Sequence, residues 1–335
     1  MPLAKVPSSL LPLICCVALL ACVARDPEPR LAPSPSATPA RVAAKPSDAI
    51  EVAITVDDLP RHGPDLSGVS RVALHEKMLA VFAKHATPPV YGFINARGLE
   101  GHAEDEQALV QWLGAGHRLG NHTYSHIDGG KAPLADYLAD VDKNEDALRR
   151  IAGGQPVEAR AWKVFRYPYL REGKDLESHA AIRKGLAERG YRVAPVTIDF
   201  YDWAYNQAYL RCLGQKRDDA LPGLKESFID QAAAELRWAD GAARELVGRP
   251  IKQILLLHVG HFTGEMLEEL LATYEKQGAR FISLDDALGD PIYDSEPSPR
   301  VATSGNLLWQ IRKSRGTRSP SVAPPPDTLL DLVCR

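Results

Sequence analysis

An α/β fold built from parallel strands and crossover helices is predicted by three observations. Short β-rich runs alternate with helical patterns through the middle of the chain. The composition is ordinary for a globular protein, with 335 residues, 45% hydrophobic and 25% charged, enough to bury a sizeable core. No short internal repeat is visible, and strand–helix units spread over about 240 residues predict a closed or nearly closed β/α barrel, with an open doubly wound sheet as the alternative.

Taken in order, residues 1–21 read as a signal peptide. A lone Lys5 precedes an apolar run from Leu10 to Ala21 that Pro12 interrupts and that is too short to span a bilayer. The sequence Leu19-Leu20-Ala21-Cys22 resembles a bacterial lipobox, so cleavage before Cys22 and lipidation of Cys22 are expected; ordinary cleavage after Ala24 is the alternative. Both routes export the chain. The expected place is a periplasm-facing or cell-surface lipoprotein of a bacterial envelope, touching membrane only through its lipid anchor. Residues 22–48, rich in Pro and Ala, lack the apolar content to order themselves and read as a linker.

The domain proper is expected over 49–290 and an irregular C-terminal extension over 291–335. Strands are predicted over 50–56, 90–95, 117–121, 163–166, 192–198, 253–257 and 280–283. Helices are predicted over 72–86, 106–115, 136–151, 178–189, 224–247 and 265–277, the last carrying Met266, Leu270, Leu271 and Tyr274 on one stripe. In the extension, Leu307, Leu308, Trp309 and Ile311 form one apolar cluster and Leu329, Leu330, Leu332 and Val333 another; both are expected to pack on the domain, with 315–326 loose. Three of the five cysteines lie in the signal segment, so in an oxidising space Cys212 and Cys334 are the pair left for a disulfide. Lys+Arg 40 against Asp+Glu 43, a net charge of -3, gives no broad positive field, and nucleic-acid binding is not expected.

In a β/α barrel the reactive groups stand where strands end. Asp57 and Asp58 follow the first predicted strand, His122-Thr-Tyr-Ser-His126 the third, Arg166-Tyr-Pro-Tyr169 the fourth, Asp199-Phe-Tyr-Asp202-Trp203 the fifth and His258 the sixth. Metal ligands and acid/base groups thus gather at one rim. The spacing of His122 and His126 puts both imidazoles on one face if the segment forms a helical turn, and two His with one carboxylate is a common catalytic zinc set. Adjacent carboxylates point apart at a strand end, so one can bind metal while the other serves as a base.

These five motifs, in this order over about residues 49–290, resemble the polysaccharide deacetylases, the NodB-homology domains of carbohydrate esterase family 4. The resemblance implies a distorted (β/α)7 barrel and hydrolysis of N-acetyl groups on a cell-envelope or extracellular glycan. It implies Asp57 as base, with Asp58, His122 and His126 holding Zn2+, or Co2+ or Ni2+ in its place. Arg166 keeps the base ionised and oriented, and the Tyr169 N–H faces the oxyanion. His258 is the acid, tuned by Asp202, while Trp203 and Leu256 line the pocket for the acetyl methyl. Leu59, Tyr167, Leu170 and Val259 depart from residues common in the family, so the rim around the metal differs from a standard groove. Other readings are an O-acetyl esterase or deformylase using the same centre, or a non-catalytic glycan-binding lipoprotein. His62 and His261 fall near the rim but fit no motif, and a structural role is expected ahead of substrate contact. His75, His85, His102, His117 and His179 are expected at the surface.

Overall fold

In the computed structural model, which describes residues 49–153, 163–295, 297, 303–316 and 327–335, the first apolar run forms the central strand β1 (Ile50–Leu59). The signal segment, Cys22 and the linker lie outside the described residues. No described helix is long and apolar enough to cross a membrane. After β1 the elements alternate: α1 (Arg71–Lys84), β2 (Tyr91–Ile94), α2 (Glu106–Gly114), β3 (Arg118–Asn121), α3 (Leu134–Ala152), β4 (Val164–Phe165), α4 (Leu176–Glu188) and β5 (Arg192–Val193). Then come α5 (Asp202–Gly214), α6 (Leu221–Val247), β6 (Gln253–His258), α7 (His261–Lys276), β7 (Ala279–Ile282), α8 (Leu284–Leu288), α9 (Leu307–Ser314) and α10 (Asp327–Leu332).

The paired strands are parallel, in the order β5-β4-β3-β2-β1-β6. Val52 to Val56 of β1 are buried without alternation, the mark of a parallel strand covered on both faces. β6 pairs along one edge of β1, from Val52 to Asp57, while β7 takes Ile50 to Ala53 and β2 takes Thr55 onward. Past β5 the chain returns to the far edge, where Ile198 pairs in parallel with Leu255 and donates its N–H to Ile254 O at 3.0 Å. The sheet curls until its ends meet through that bridge. This is the distorted β/α barrel rather than the open sheet.

The strand expected over 192–198 is a two-residue strand followed by irregular chain. Pro195 has no N–H to give a ladder, and regular pairing resumes only at the Ile198 bridge. Helix α5 was absent from the sequence reading. It starts from Tyr201 in a left-handed conformation with no side-chain cap, so no usual start signal precedes it. Helix α7 begins at His261 rather than 265, because Gly264 is held inside its first turns despite its low propensity. Phe200, Tyr205, Phe228 and Phe262 pack edge to face at 5.0–5.3 Å, locking α5, α6 and α7 beneath the rim.

In the extension, Leu307, Leu308 and Ile311 of α9 are buried, and Leu330 is buried, but Leu332 is exposed. The stretch before α9 is tied to the domain by backbone bonds: Glu172 N–H to Thr303 O, Gly305 N–H to Leu170 O and Leu307 N–H to Val196 O, at 2.7–3.1 Å. Cys212 of α5 is bonded to Cys334 in a disulfide that fixes the C-terminal residues to the body. His75 and His179 are buried, not at the surface, and His117 is also inside. Each lies beside a partner: His75 Nε2 donates to Pro60 O, His117 Nδ1 accepts from Val90 N–H, and His179 Nδ1 is 3.4 Å from Glu172.

Candidate active site

The ends of β1, β3, β4 and β6 converge on a cavity of about 490 Å³, lined by Asp57, Asp58, His122, His126, Tyr169, Trp203, Leu256 and His258 among others. Of the residues that the sequence placed at the rim, the candidate base, ligands and acid border this space, Arg166 and Asp202 lie buried behind it, and His62 lines it whereas His261 does not. His122 and His126 do not form a helical turn. Thr123 (φ 62°) and His126 (φ 58°) are left-handed, and the loop is held by Asn95 Nδ2, which donates to the carbonyls of His122 and Thr123. A buried amide network stands behind it: Asn144 Nδ2 donates to Asn121 Oδ1 at 2.8 Å, and Asn121 Oδ1 also accepts from Thr123 N–H at 2.9 Å. These asparagines were missed in the sequence, although Asn121 directly precedes His122.

Asp58 Oδ1 lies 3.5 Å from His122 Nε2 and 3.4 Å from His126 Nε2. It is buried and has no hydrogen-bond partner among the described residues. The three residues can present one ligand atom each within 4.8 Å of one another. Donors about 2.0–2.1 Å from a tetrahedral ion stand about 3.3 Å apart, so both oxygen–nitrogen spacings fit a cation shared among them. Burial pushes His122 and His126 down to about 4, which keeps both rings neutral as ligands must be. His122 Nδ1 donates to Arg166 O at 2.8 Å, leaving Nε2 turned to Asp58. Burial opposes the charge on Asp58, yet His126 and a hydrogen bond from His62 hold its carboxyl well below the usual range.

Asp57 is buried beside this group, its Oδ2 3.6 Å from His122 Nε2. Arg166 Nη1 is 3.3 Å from both of its oxygens, while Nη2 donates to Thr55 Oγ1 and Nε to Ala194 O. Burial lifts Asp57 to about 6 against the pull of Arg166 and His258. The arginine restrains a carboxyl that burial alone would raise further. Across the cavity, Asp202 Oδ1 accepts from His258 Nδ1 at 2.7 Å, and Oδ2 accepts from His258 N–H and Thr263 Oγ1. Burial opposes a charge on His258, but Asp202, and after it Asp58 and Asp57, push its pKa up to about 10.

Asp199, lifted by burial to about 6, and Tyr201, both in the stretch the sequence set after the fifth strand, line the wall on the approach to α5, and Gly305, which no local pattern announced, lines it from the C-terminal extension. Asp58, Thr123, His126, Tyr169, Leu170 and Tyr201 are non-glycine residues at positive φ around this one space. Such strain persists where the surroundings impose it, and it concentrates at functional sites. Tyr169 is exposed at the rim and packs on His126 with ring centroids 4.3 Å apart.

The chain is similar in sequence to curated proteins. The chain is 26% identical over 243 residues to a chitin deacetylase of Arthroderma benhamiae, covering 72% of this chain and 52% of that protein. It is 30% identical over 159 residues to a peptidoglycan-N-acetylglucosamine deacetylase of Bacillus cereus, covering 47% of this chain and 48% of that one. It thus spans about half the length of these curated relatives. The solved chitin deacetylase of Colletotrichum lindemuthianum superposes with a TM-score of 0.49 at 22% identity, covering 72% of this chain and 88% of that one. The profile of the family described as polysaccharide deacetylase matches residues 44–194, the stretch that carries the first three motifs.

Proposed function

We propose that the protein is a metal-dependent hydrolase that removes N-acetyl groups from a cell-envelope or extracellular glycan, releasing acetate and a free amino sugar. The observation that carries this reading is the orphaned Asp58 Oδ1 between two neutral imidazoles, with a buried carboxyl and a charged imidazole on either side. The names of the relatives support the substrate class. Zn2+ suits the donor set, and Co2+ or Ni2+ would also be accepted.

Asp58, His122 and His126 would hold the cation, which when bound supplies Lewis acidity to the water and the acetyl carbonyl. Asp57 takes the proton of the attacking water. Arg166 fixes the orientation of that carboxylate, and burial keeps it basic enough to act near neutrality. The Tyr169 N–H donates to the oxyanion as the carbonyl becomes tetrahedral. His258, charged through Asp202, gives its proton to the departing nitrogen, since an amine leaves only when protonated. Base and acid therefore start in opposite states, set by their different surroundings. Trp203 and Leu256 offer the apolar wall for the acetyl methyl. Lipidation at Cys22, with residues 23–48 as tether, would hold the domain at an envelope surface.

The test is acetate release by the full chain loaded with Zn2+, on N-acetyl-chito-oligomers, peptidoglycan and O-acetylated xylan. Release from an N-acetyl substrate is expected. Release from the xylan alone would make the protein an esterase, and no release with one bound ion per chain would make it a binding protein. The pH profile of kcat/KM in the same assay is expected to be bell-shaped. Activity needs Asp57 deprotonated, so it rises through a pKa at or below about 6; it needs His258 protonated, so it falls through one at or below about 10. A bound cation draws both limbs downward, because positive charge favours the carboxylate and disfavours the imidazolium. A rate that climbs steadily past pH 10 would remove His258 as the acid.

A further inference from the structure

The loop after β1 holds a fourth imidazole that none of the five motifs uses. His62 Nδ1 lies 2.7 Å from Asp58 Oδ2, and its ring packs on His258 with centroids 4.8 Å apart. The acceptor is a carboxylate oxygen, so Nδ1 carries the proton. Asp58 is thereby divided: one oxygen is taken by a donor from its own loop, and the other faces His122 and His126 with no hydrogen-bond partner among the described residues.

The loop that carries His62 is fastened from three directions by buried polar side chains. Arg71 Nη1 donates to His62 O at 2.9 Å, Nη2 to Gly63 O and Pro64 O, and Nε to Asp65 Oδ1. His75 Nε2 donates to Pro60 O, and His261 Nε2 accepts from Leu66 N–H. Arg71, His75 and His261 are each at most 5% exposed. Burying three such groups is costly unless they are hydrogen-bonded, and each of them makes at least one hydrogen bond to one loop of seven residues, 60–66. The segment follows Leu59, the first departure from the family's pattern, and includes Gly63 at φ 68°, a turn open to glycine. Its rigidity is spent on keeping one imidazole against one carboxylate.

We propose that His62 is a positioning residue that fixes Asp58 as a single-oxygen metal ligand. A carboxylate with both oxygens free can rotate or chelate through the pair, the mode that larger oxygen-seeking ions such as Ca2+ use. With Oδ2 held, Oδ1 alone is presented, at a spacing that suits a small ion bound by two imidazoles. Second partners of this kind typically change metal affinity by 10–100-fold when removed. The inference rests on the metal reading of Asp58, His122 and His126, and extends it to a residue outside the motifs.

The experiment is Zn2+ affinity of the chelator-stripped full chain, by competition with a chelating dye, for the parent, His62→Ala and His62→Asn. The Asn amide nitrogen stands as many bonds from Cα as Nδ1 does, so it can restore the donor without the ring. His62→Ala is expected to bind Zn2+ about 10–100-fold more weakly, and His62→Asn within about threefold of the parent. The unfolding temperature of metal-free His62→Ala is expected to stay within about 2 °C of the parent, while the rise that Zn2+ produces shrinks. Unchanged affinity in His62→Ala overturns the proposal alone. Equal weakening in Ala and Asn also overturns it, since the ring packing on His258 would then be what matters. A parent that binds no Zn2+ overturns both this proposal and the metal reading beneath it.

Discussion

Asp57→Asn is expected to lower kcat by about 10³-fold while Zn2+ still binds with parental affinity. The side chain is 2% exposed, and its change is one of charge and proton capacity rather than shape. Asn retains an oxygen that can face Arg166 Nη1, so the buried guanidinium keeps a partner and the β1–β6 register, with Asp57 opposite His258, is preserved. What disappears is a carboxylate beside Asp58, His122 and His126 that can accept a proton from water there without being one of those three candidate ligands. On the proposed mechanism Asp57 meets the reacting water and not the sugar, so KM should move little. His126→Ala gives the contrasting outcome, losing Zn2+ affinity and activity together. Were Asp57→Asn to lose Zn2+ along with kcat, Asp57 would be a ligand; were kcat to survive, it would not be the base.

The chemistry was legible where it followed a strand. Asp57, Asp58, His122, His126 and His258 each stand at or just beyond the end of a β-rich run, so apolar pattern and reactive residue read together. The central strands were legible for the same reason: β1 carries Val52, Ala53, Ile54 and Val56 ahead of its aspartates, and β6 carries Ile254 to Leu257 ahead of His258. What stayed hidden depends on partners distant in the chain. His75 and His117 look like surface residues until Pro60 O and the Val90 N–H come alongside, since polarity by itself does not reveal whether a hydrogen bond awaits inside. Gly305 reaches the cavity because Glu172 and Leu170 bind the chain beside it, more than a hundred residues after those partners. His62 carried a signal, four residues beyond Asp58, but only the turn of the loop brings its Nδ1 onto the carboxylate. The two-residue β5 was misjudged because Val and Ile propensity over 192–198 outweighed one Pro in the reading, whereas the ladder obeys the missing N–H.

Glu235→Gln is expected to stabilise the protein at neutral pH, by an amount that grows as pH rises. Glu235 lies on α6 and is 5% exposed; burial, and then the charge of Asp199, push its carboxyl up to about 9. The folded state therefore keeps the proton at pH 7, whereas the unfolded chain releases it near 4.5. Between those values the folded protein binds one more proton than the unfolded, so stability falls with rising pH at roughly 1.4 kcal/mol per unit. Its contribution is fully present below 4.5 and is lost as pH climbs to about 9. At pH 7 the accumulated loss is about 3 kcal/mol, a substantial share of the stability of an ordinary domain. Gln has the shape of the protonated acid and no proton to lose. Parent and variant should match in chemical denaturation at pH 4.5 and diverge steadily to pH 9, the variant higher. The charge of the nearby Asp199 carboxyl raises Glu235 further, which carries the divergence to higher pH without steepening it. Denaturation curves that stay parallel from pH 5 to 9 would show that Glu235 gives up its proton at the ordinary carboxylate value in the folded state, with water or a cation reaching it inside the barrel wall.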